Sequence, residues 1–174
     1  MTPRTLSGRV WHQGRPWYGL ISFQDPSRGG GRYHRAGEEG LWYASTTSMA
    51  AWAQIFRGKP DDDLSPFTVK RRVGRCMIRS LIVLDLSDDQ TRRVLRVTEE
   101  ELRSDDYTKC QAIADQARAG GFEGILSPSA ALSGAIDVVV FKVGIPKVTE
   151  ERSRVQRPPR SMKKHLRRIP RRSP

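Results

Sequence analysis

The stretch from Gly29 to Gln54, GGGRYHRAGEEGLWYASTTSMAAWAQ, decides how the chain is built around its most chemically loaded residues. Three successive glycines lead into Arg32 and His34. The apolar run Leu41-Trp42-Tyr43-Ala44-Ser45 reads as a strand. Thr46 or Thr47 then caps a helix over roughly 48–57, because a threonine hydroxyl accepts a hydrogen bond from the free N–H groups of a first turn. On that helix Ala50, Ala53 and Gln54 share a face by their three- and four-residue spacing. Gln54 therefore stands among small residues that leave space beside it.

Toward the N-terminus, residues 1–15 are polar and read as irregular. Trp17 to Phe23 (WYGLISF) reads as a short strand, followed by a loop from Gln24 to Gly31. Toward the C-terminus, Gly58 to Pro66 (GKPDDDLSP) is a loop. Its three aspartates lack the alternating spacing and turn glycine of a calcium loop, so a solvated loop is expected. Val73 to Leu86, containing MIRSLIVLDL, predicts a central strand, and Arg93 to Val97 another short one. Thr98-Glu99-Glu100-Glu101-Leu102 opens like a capped helical turn with acids facing the helix's positive end. Tyr107 to Ala119 predicts a helix stopped by Gly120-Gly121. Gly124 to Leu126 and Ile136 to Val143 (IDVVVFKV) complete the strands. Strands alternating with two or three helices imply an α/β or α+β domain on a mixed sheet.

Hydrophobic residues make up 37% of the 174 and charged residues 29%, enough for one globular core. No apolar run approaches the ~20 residues of a membrane helix, and the N-terminal MTPRTLSGRVWHQ has no apolar stretch suited to a signal peptide. A cytoplasmic protein without a membrane partner is the expectation. Cys76 and Cys110 form no CxxC pattern, and with three histidines no metal-ligand spacing is visible, so buried thiols and no metal are expected.

The net charge of +12 is uneven: residues 151–174 carry ten Lys/Arg against one Glu, leaving only +3 for the first 150. A near-neutral body at 1–150 with a basic, proline-containing, disordered tail at 151–174 is the expected organisation. A helix at Ser161–Ile169 on an anionic partner is compatible with it. The tail would attract phosphate backbones without reading sequence, since it has no Phe, Tyr or Trp for base stacking.

Each candidate site residue has a plain structural alternative. Arg32 can fork onto phosphate oxygens, with Gly29, Gly30 and Gly31 allowing close backbone approach; it can equally be a salt-bridging loop arginine. His34 can touch phosphate or ribose, or be a loop histidine. Tyr43 can stack on an aromatic base or pack in the core. Ser129, after Pro128, can donate to a ribose hydroxyl or phosphate, or cap a helix. Gln54 can contact a ribose or sit idle on a helix flank.

Taken together, these residues resemble the RES domain family. The first motif is Gly30-Gly31-Arg32-Tyr33-His34, Gly37 and Leu41-Trp42-Tyr43; the third is Gly124-Ile125-Leu126-Ser127-Pro128-Ser129. The resemblance covers about residues 20–143. It implies a mixed, split β-sheet core with flanking helices, similar to the ADP-ribosyltransferase fold. It also implies an NAD-degrading toxin of a toxin–antitoxin pair that cleaves the nicotinamide–ribose bond as a phosphorylase or glycohydrolase. NAD is then the substrate and an Xre-like antitoxin the partner. Arg32, Tyr43, Gln54 and Ser129 fall on the family's catalytic positions, with Gly31, Arg32, His34, Tyr43 and Ser129 binding NAD. The family carries a glutamate where this chain has Gln54. That departure implies an inactivated or repurposed form, whether natural or a deliberate Glu→Gln change. Loss of one well-placed electrostatic group costs ~10²–10³ in rate. An ADP-ribosyltransferase acting on a protein or nucleic acid, and a non-catalytic NAD- or nucleic-acid-binding module, are the competing readings.

Overall fold

The computed structural model describes residues 3–22, 29–57 and 65–164. Its strands are β1 (Arg4–Gly14), β2 (Trp42–Ser45), β3 (Arg71–Asp85), β4 (Gly124–Pro128), β5 (Ile136–Val140) and β6 (Val148–Gln156). Its α-helices are α1 (Ser48–Ala53), α2 (Asp89–Val94), α3 (Glu99–Arg103) and α4 (Thr108–Ala119).

The strand order is β1-β2-β5-β4-β3-β6, and β3 also pairs with β1, so five strands close on themselves. The β3–β4 pairing is parallel and the others are antiparallel. The sheet is mixed, as expected, but it is one closed ring rather than a split core. Closure depends on β3, which is long enough to pair with β1 along most of its length, with β6 at one end and with β4 at the other. A β-bulge between Leu6 and Gly8 and a positive φ of 52° at Ser80 bend the β1–β3 pair where the ring turns. The Ser80 N–H donates to Ser7 Oγ at 2.9 Å there. At Gly74 a Cβ would come within 2.1 Å of the Arg152 carbonyl oxygen, so only glycine lets β6 lie this close.

Strand periodicity sorts the side chains. Val10, Trp42, Ala44, Cys76, Ile78, Leu81, Val83, Leu126, Val138 and Val140 fill the ring interior. Leu84, Ile125 and Val139, one position out of phase, face outward and pack with Leu102, Cys110, Ile113, Ala114 and Ala117 of α3 and α4. A third cluster joins Trp52, Ala53 and Phe56 to Val73, Ala131 and Met162. Both cysteines are buried and free.

Several sequence expectations hold. Thr47 caps α1, accepting from the Ala50 N–H at 3.1 Å. Thr98 and Glu101 form a reciprocal capping box on α3. α4, β2, β3, β4 and β5 fall where the patterns put them.

Others are corrected. The stretch expected to be irregular at 1–15 contains β1, in which few residues are apolar and only Val10 is buried. Residues 17–22 form turns rather than a strand, with Leu20 buried and Trp17 70% exposed; Phe23 lies outside the described residues. The strand expected at Arg93–Val97 is instead the end of α2 and a turn, because Asp88 caps a helix there by accepting from the Thr91 N–H at 2.8 Å. β5 stops at Val140, and a 3-10 helix follows over Lys142–Lys147.

The boundary expected at 150 cuts through β6, which pairs with β3 from Val148 to Gln156. Glu151 meets Arg9 at 3.0 Å, and Met162 is fully buried against the α1 cluster. The first part of the expected tail is thus folded into the body; its charge alternates with small and apolar residues along an edge strand. The remainder, 165–174, with the Asp61–Asp63 loop, lies outside the described residues.

Candidate active site

β2 ends and β5 begins at the same edge of the ring, and this edge is polar. Ser45 of β2 and Ser127 of β4 are both directly opposite Asp137 of β5. Residues opposite one another across a ladder point to the same face, so the three polar side chains form a row on the outer face, in phase with Tyr43 and Val139.

Asp137 collects donors from three directions. Ser45 Oγ donates to Oδ1 at 2.6 Å. Gln54, at the C-terminal end of α1, donates from Nε2 to Oδ2 at 2.9 Å. The Ser129 hydroxyl also engages the carboxylate. Burial pushes the Asp137 carboxyl above its ordinary range, and these hydrogen bonds together with the charge of Arg32 pull against that shift.

Arg32 enters from the loop before β2. Its Nη1 donates to the carbonyls of Leu102 and Ser104 at 2.6 and 2.7 Å, where the C-terminal end of α3 leaves acceptors free. Its guanidinium lies over the Tyr107 ring, 4.7 Å from the centroid. Its Nη2 is buried and has no hydrogen-bond partner. An arginine nitrogen in that state is ready to meet an acceptor brought by a ligand. Arg57 grips the same segment, donating to Tyr107 Oη, the Arg103 carbonyl and Asp105 Oδ1 at 3.2, 3.3 and 2.6 Å.

The glycine-led loop is a tight turn. The Gly31 N–H donates to the His34 carbonyl at 2.8 Å, so this amide serves the turn itself. A Cβ at Gly31 would meet His34 Cε1 at 2.5 Å, which is why glycine is needed here. Gln111 and Arg118 of α4 hold the turn by donating to the carbonyls of Gly31, Tyr33 and His34.

His34 is buried, with Nδ1 3.2 Å from Tyr43 Oη. Its burial, and then the charge of Arg118, lower its proton affinity, so it is neutral at pH 7. Tyr43 Oη also accepts from the Tyr33 N–H at 3.3 Å, and burial raises its phenol well above the ordinary range. Tyr33 Oη donates to Ser127 Oγ at 2.6 Å, linking the turn to the polar row. Ser129 Oγ accepts from the N–H groups of Ala131 and Leu132, both at 3.3 Å, so it stabilises the turn before β5 as well as facing Asp137.

The structure therefore brings the expected residues into two linked groups. Arg32, Gln54 and Ser129 converge on Asp137, while Gly31, His34 and Tyr43 form the turn beside it. Sequence reasoning missed Asp137, Ser45, Ser127, Tyr33, Arg57 and Tyr107. One signal for Asp137 was present: a carboxylate inside the β-branched run IDVVVFKV, out of phase with the interior-facing valines. Among the described residues no group of three or more His, Cys, Asp or Glu is arranged to hold a metal ion, and no helix is long and apolar enough to cross a membrane.

Comparison with known proteins adds three findings. The model of the RES domain matches residues 4–163. The probable NAD(+) phosphorylase Rv3189 of Mycobacterium tuberculosis is 51% identical over 156 residues, spanning 90% of this chain and 75% of that protein. A chain in the crystal structure of the M. tuberculosis MbcT–MbcA toxin–antitoxin complex superposes with a TM-score of 0.75 at 19% identity, covering 95% of this chain and 91% of that one.

Proposed function

The chain belongs to the RES domain family, and on that premise we propose that it is an NAD phosphorylase acting as the toxin of a toxin–antitoxin pair. The 51% identity to a probable NAD(+) phosphorylase across nearly the whole chain carries this reading. The site's chemistry supports it. Phosphorolysis breaks the bond between the nicotinamide nitrogen and C1 of the adjoining ribose. The bonding electron pair leaves with nicotinamide, which departs neutral, and a phosphate oxygen bonds to C1. The site must bind an anionic pyrophosphate, hold the ribose and oppose the positive charge that develops on it, as carboxylates do in glycoside hydrolysis.

Arg32 supplies the anion-binding element, with Nη1 anchored on α3 and Nη2 left without a partner. The neutral His34–Tyr43 pair shapes the wall beside it, and Ser129 offers a hydroxyl. Chemistry of this kind needs no metal. The partner is an antitoxin protein that covers this edge of the ring, in keeping with the toxin–antitoxin complex that contains the structural relative.

The test is nicotinamide release from NAD by the purified full chain, with and without inorganic phosphate, with the second product identified by mass. Phosphate-dependent release with an ADP-ribose phosphate product is expected. Equal release without phosphate would mean hydrolysis, and no release from folded protein would sink the reading. Arg32→Lys keeps the charge but loses the planar guanidinium that holds the α3 carbonyls with Nη1 while leaving Nη2 for an anion; it is expected to lower kcat/KM on the order of 10²-fold.

A further inference from the structure

We propose that Asp137 is the catalytic carboxylate of this site and that Gln54 is its positioning residue. This inference rests on the NAD-cleaving reading above. The family's helix glutamate is replaced here by an amide, yet the site is not without a negative group. The carboxylate sits on the neighbouring strand, and the amide is its hydrogen-bond donor, with Gln54 Nε2 at 2.9 Å from Asp137 Oδ2. The charge has moved from the end of α1 to the start of β5.

Three observations support a chemical rather than a structural role for Asp137. First, its hydrogen-bond donors are neutral: the Ser45 hydroxyl at 2.6 Å, the Gln54 amide and the Ser129 hydroxyl. An asparagine oxygen or a hydroxyl would satisfy such donors without the cost of burying a charge. Second, among the described residues no cation forms a salt bridge with it, so it is not half of a structural ion pair. Third, it stands at the edge of the ring where β2 ends and β5 begins, within the field of Arg32, whose buried Nη2 has no partner. A dinucleotide whose phosphates meet Arg32 would bring its ribosides toward this edge. A carboxylate held by neutral donors keeps its full charge available for a developing cation, which is what electrostatic preorganisation requires.

The arrangement also says what Gln54 is for. A glutamate in its place would set two carboxylates about 3 Å apart, where they cannot both ionise. Gln54 is therefore matched to Asp137 and is not a gap left in the site. The groups facing Asp137 are Gln54 at the end of α1, Ser45 of β2, Ser127 of β4, Ser129 before β5 and Arg32 of the first loop.

The experiment measures kcat and KM for nicotinamide release from NAD and phosphate, with a thermal melt for each protein. The set is wild type, Asp137→Asn, Gln54→Glu, Gln54→Ala and the double variant Gln54→Glu/Asp137→Asn. Asp137→Asn is expected to lower kcat by ~10²–10³ with KM changed only a few-fold. Gln54→Glu alone is expected to be slower than wild type at neutral pH. The double variant, which returns one carboxylate and one amide to the pair in swapped order, is expected to regain at least ~10-fold in kcat over Asp137→Asn. Gln54→Ala removes a hydrogen bond that favours the charged form, so the acid limb of its kcat profile is expected to move to higher pH.

Should Asp137→Asn fail to fold, the Gln54→Glu rate and the Gln54→Ala profile carry the decision. Wild-type release that Asp137→Asn leaves within three-fold, or a Gln54→Glu variant faster than wild type, would overturn the assignment while leaving the NAD reading intact. No release from any protein, Gln54→Glu included, would remove the NAD reading and this assignment with it.

Discussion

Two faces of the same strand obey opposite rules. In β5, Val138 and Val140 point into the ring and are fully buried among aliphatic neighbours. Asp137, one position away, points to the outer face and meets Ser45, Gln54 and Ser129. The interior is held by the removal of apolar surface from water, worth roughly 25 cal/mol per Å². The site edge partly buries a carboxyl group and satisfies it with hydrogen bonds, an arrangement that costs stability when the group is charged. Strand alternation is the device that lets one short segment do both, and a one-residue slip in register would exchange them.

The largest break in this comparison comes from the interior. Leu81 is fully buried in β3 at the bend beside Ser80, with its methyls toward Gly124 and Gly144. Leu81→Ala removes buried methyl groups from a place where three strands meet and cannot all relax. A loss of ~2–5 kcal/mol in unfolding free energy is expected from chemical denaturation. Turnover per folded molecule should change little, since Leu81 faces away from Asp137. A small stability loss with a large activity loss would mean that the two faces are not independent.

A smaller effect sharpens the comparison by asking how the interior treats a titratable group. His12 stacks on Trp42 with ring centroids 5.1 Å apart, and its Nδ1 donates to the Tyr43 carbonyl. Burial lowers its pKa to about 4; the nearby Arg71 adds to this, while the backbone hydrogen bond and Glu150 oppose it. The folded chain thus binds fewer protons than the unfolded chain, in which His12 titrates near 6.5. The contribution is complete above pH 6.5 and is lost as the pH falls toward 4, up to about 3 kcal/mol in all. Denaturation midpoints at pH 7.5 and 4.5 check this, and His12→Gln should flatten the difference. An unchanged slope in that variant would assign acid sensitivity to another group.

How much of this was legible in the sequence follows from the same contrast. β3 and β5 were readable because they are dense in β-branched residues, and α3 because Thr98 and Glu101 state its cap. β1 was not, because RTLSGRVWHQG has few apolar residues and is held by pairing with β3, a contact between residues 58 to 79 positions apart. β6 was hidden by its charge, which reads as a tail until Glu151 is seen against Arg9. At the site, the residues of the Gly30–Tyr43 motif and Ser129 were visible as a linear pattern. Asp137 was not, since its meaning arises only from β2 and β5 being neighbours and from α1 ending above them.

The smallest expected effect is the most diagnostic of the difference between the faces. Asp137 has a folded-state pKa above its ordinary value of 3.8. Its folded form therefore holds the proton more tightly than the unfolded chain does, and the stability associated with that proton is lost as the pH rises through the raised value. Above that value the wild type bears the cost of holding a partly buried carboxylate charged. Asp137→Asn has nothing to ionise, while its carboxamide oxygen still accepts from Ser45 and the Gln54 amide can rotate to present its oxygen to the new Nδ2. The variant is expected to melt at the same temperature as wild type or slightly higher above the raised pKa, with the gap closing as the pH falls through it. Paired with a collapse in turnover, that result would show a group kept against the interest of stability, which is how a functional charge differs from a structural one. A variant that melts well below wild type at pH 7 would instead make Asp137 a brace between α1 and the sheet.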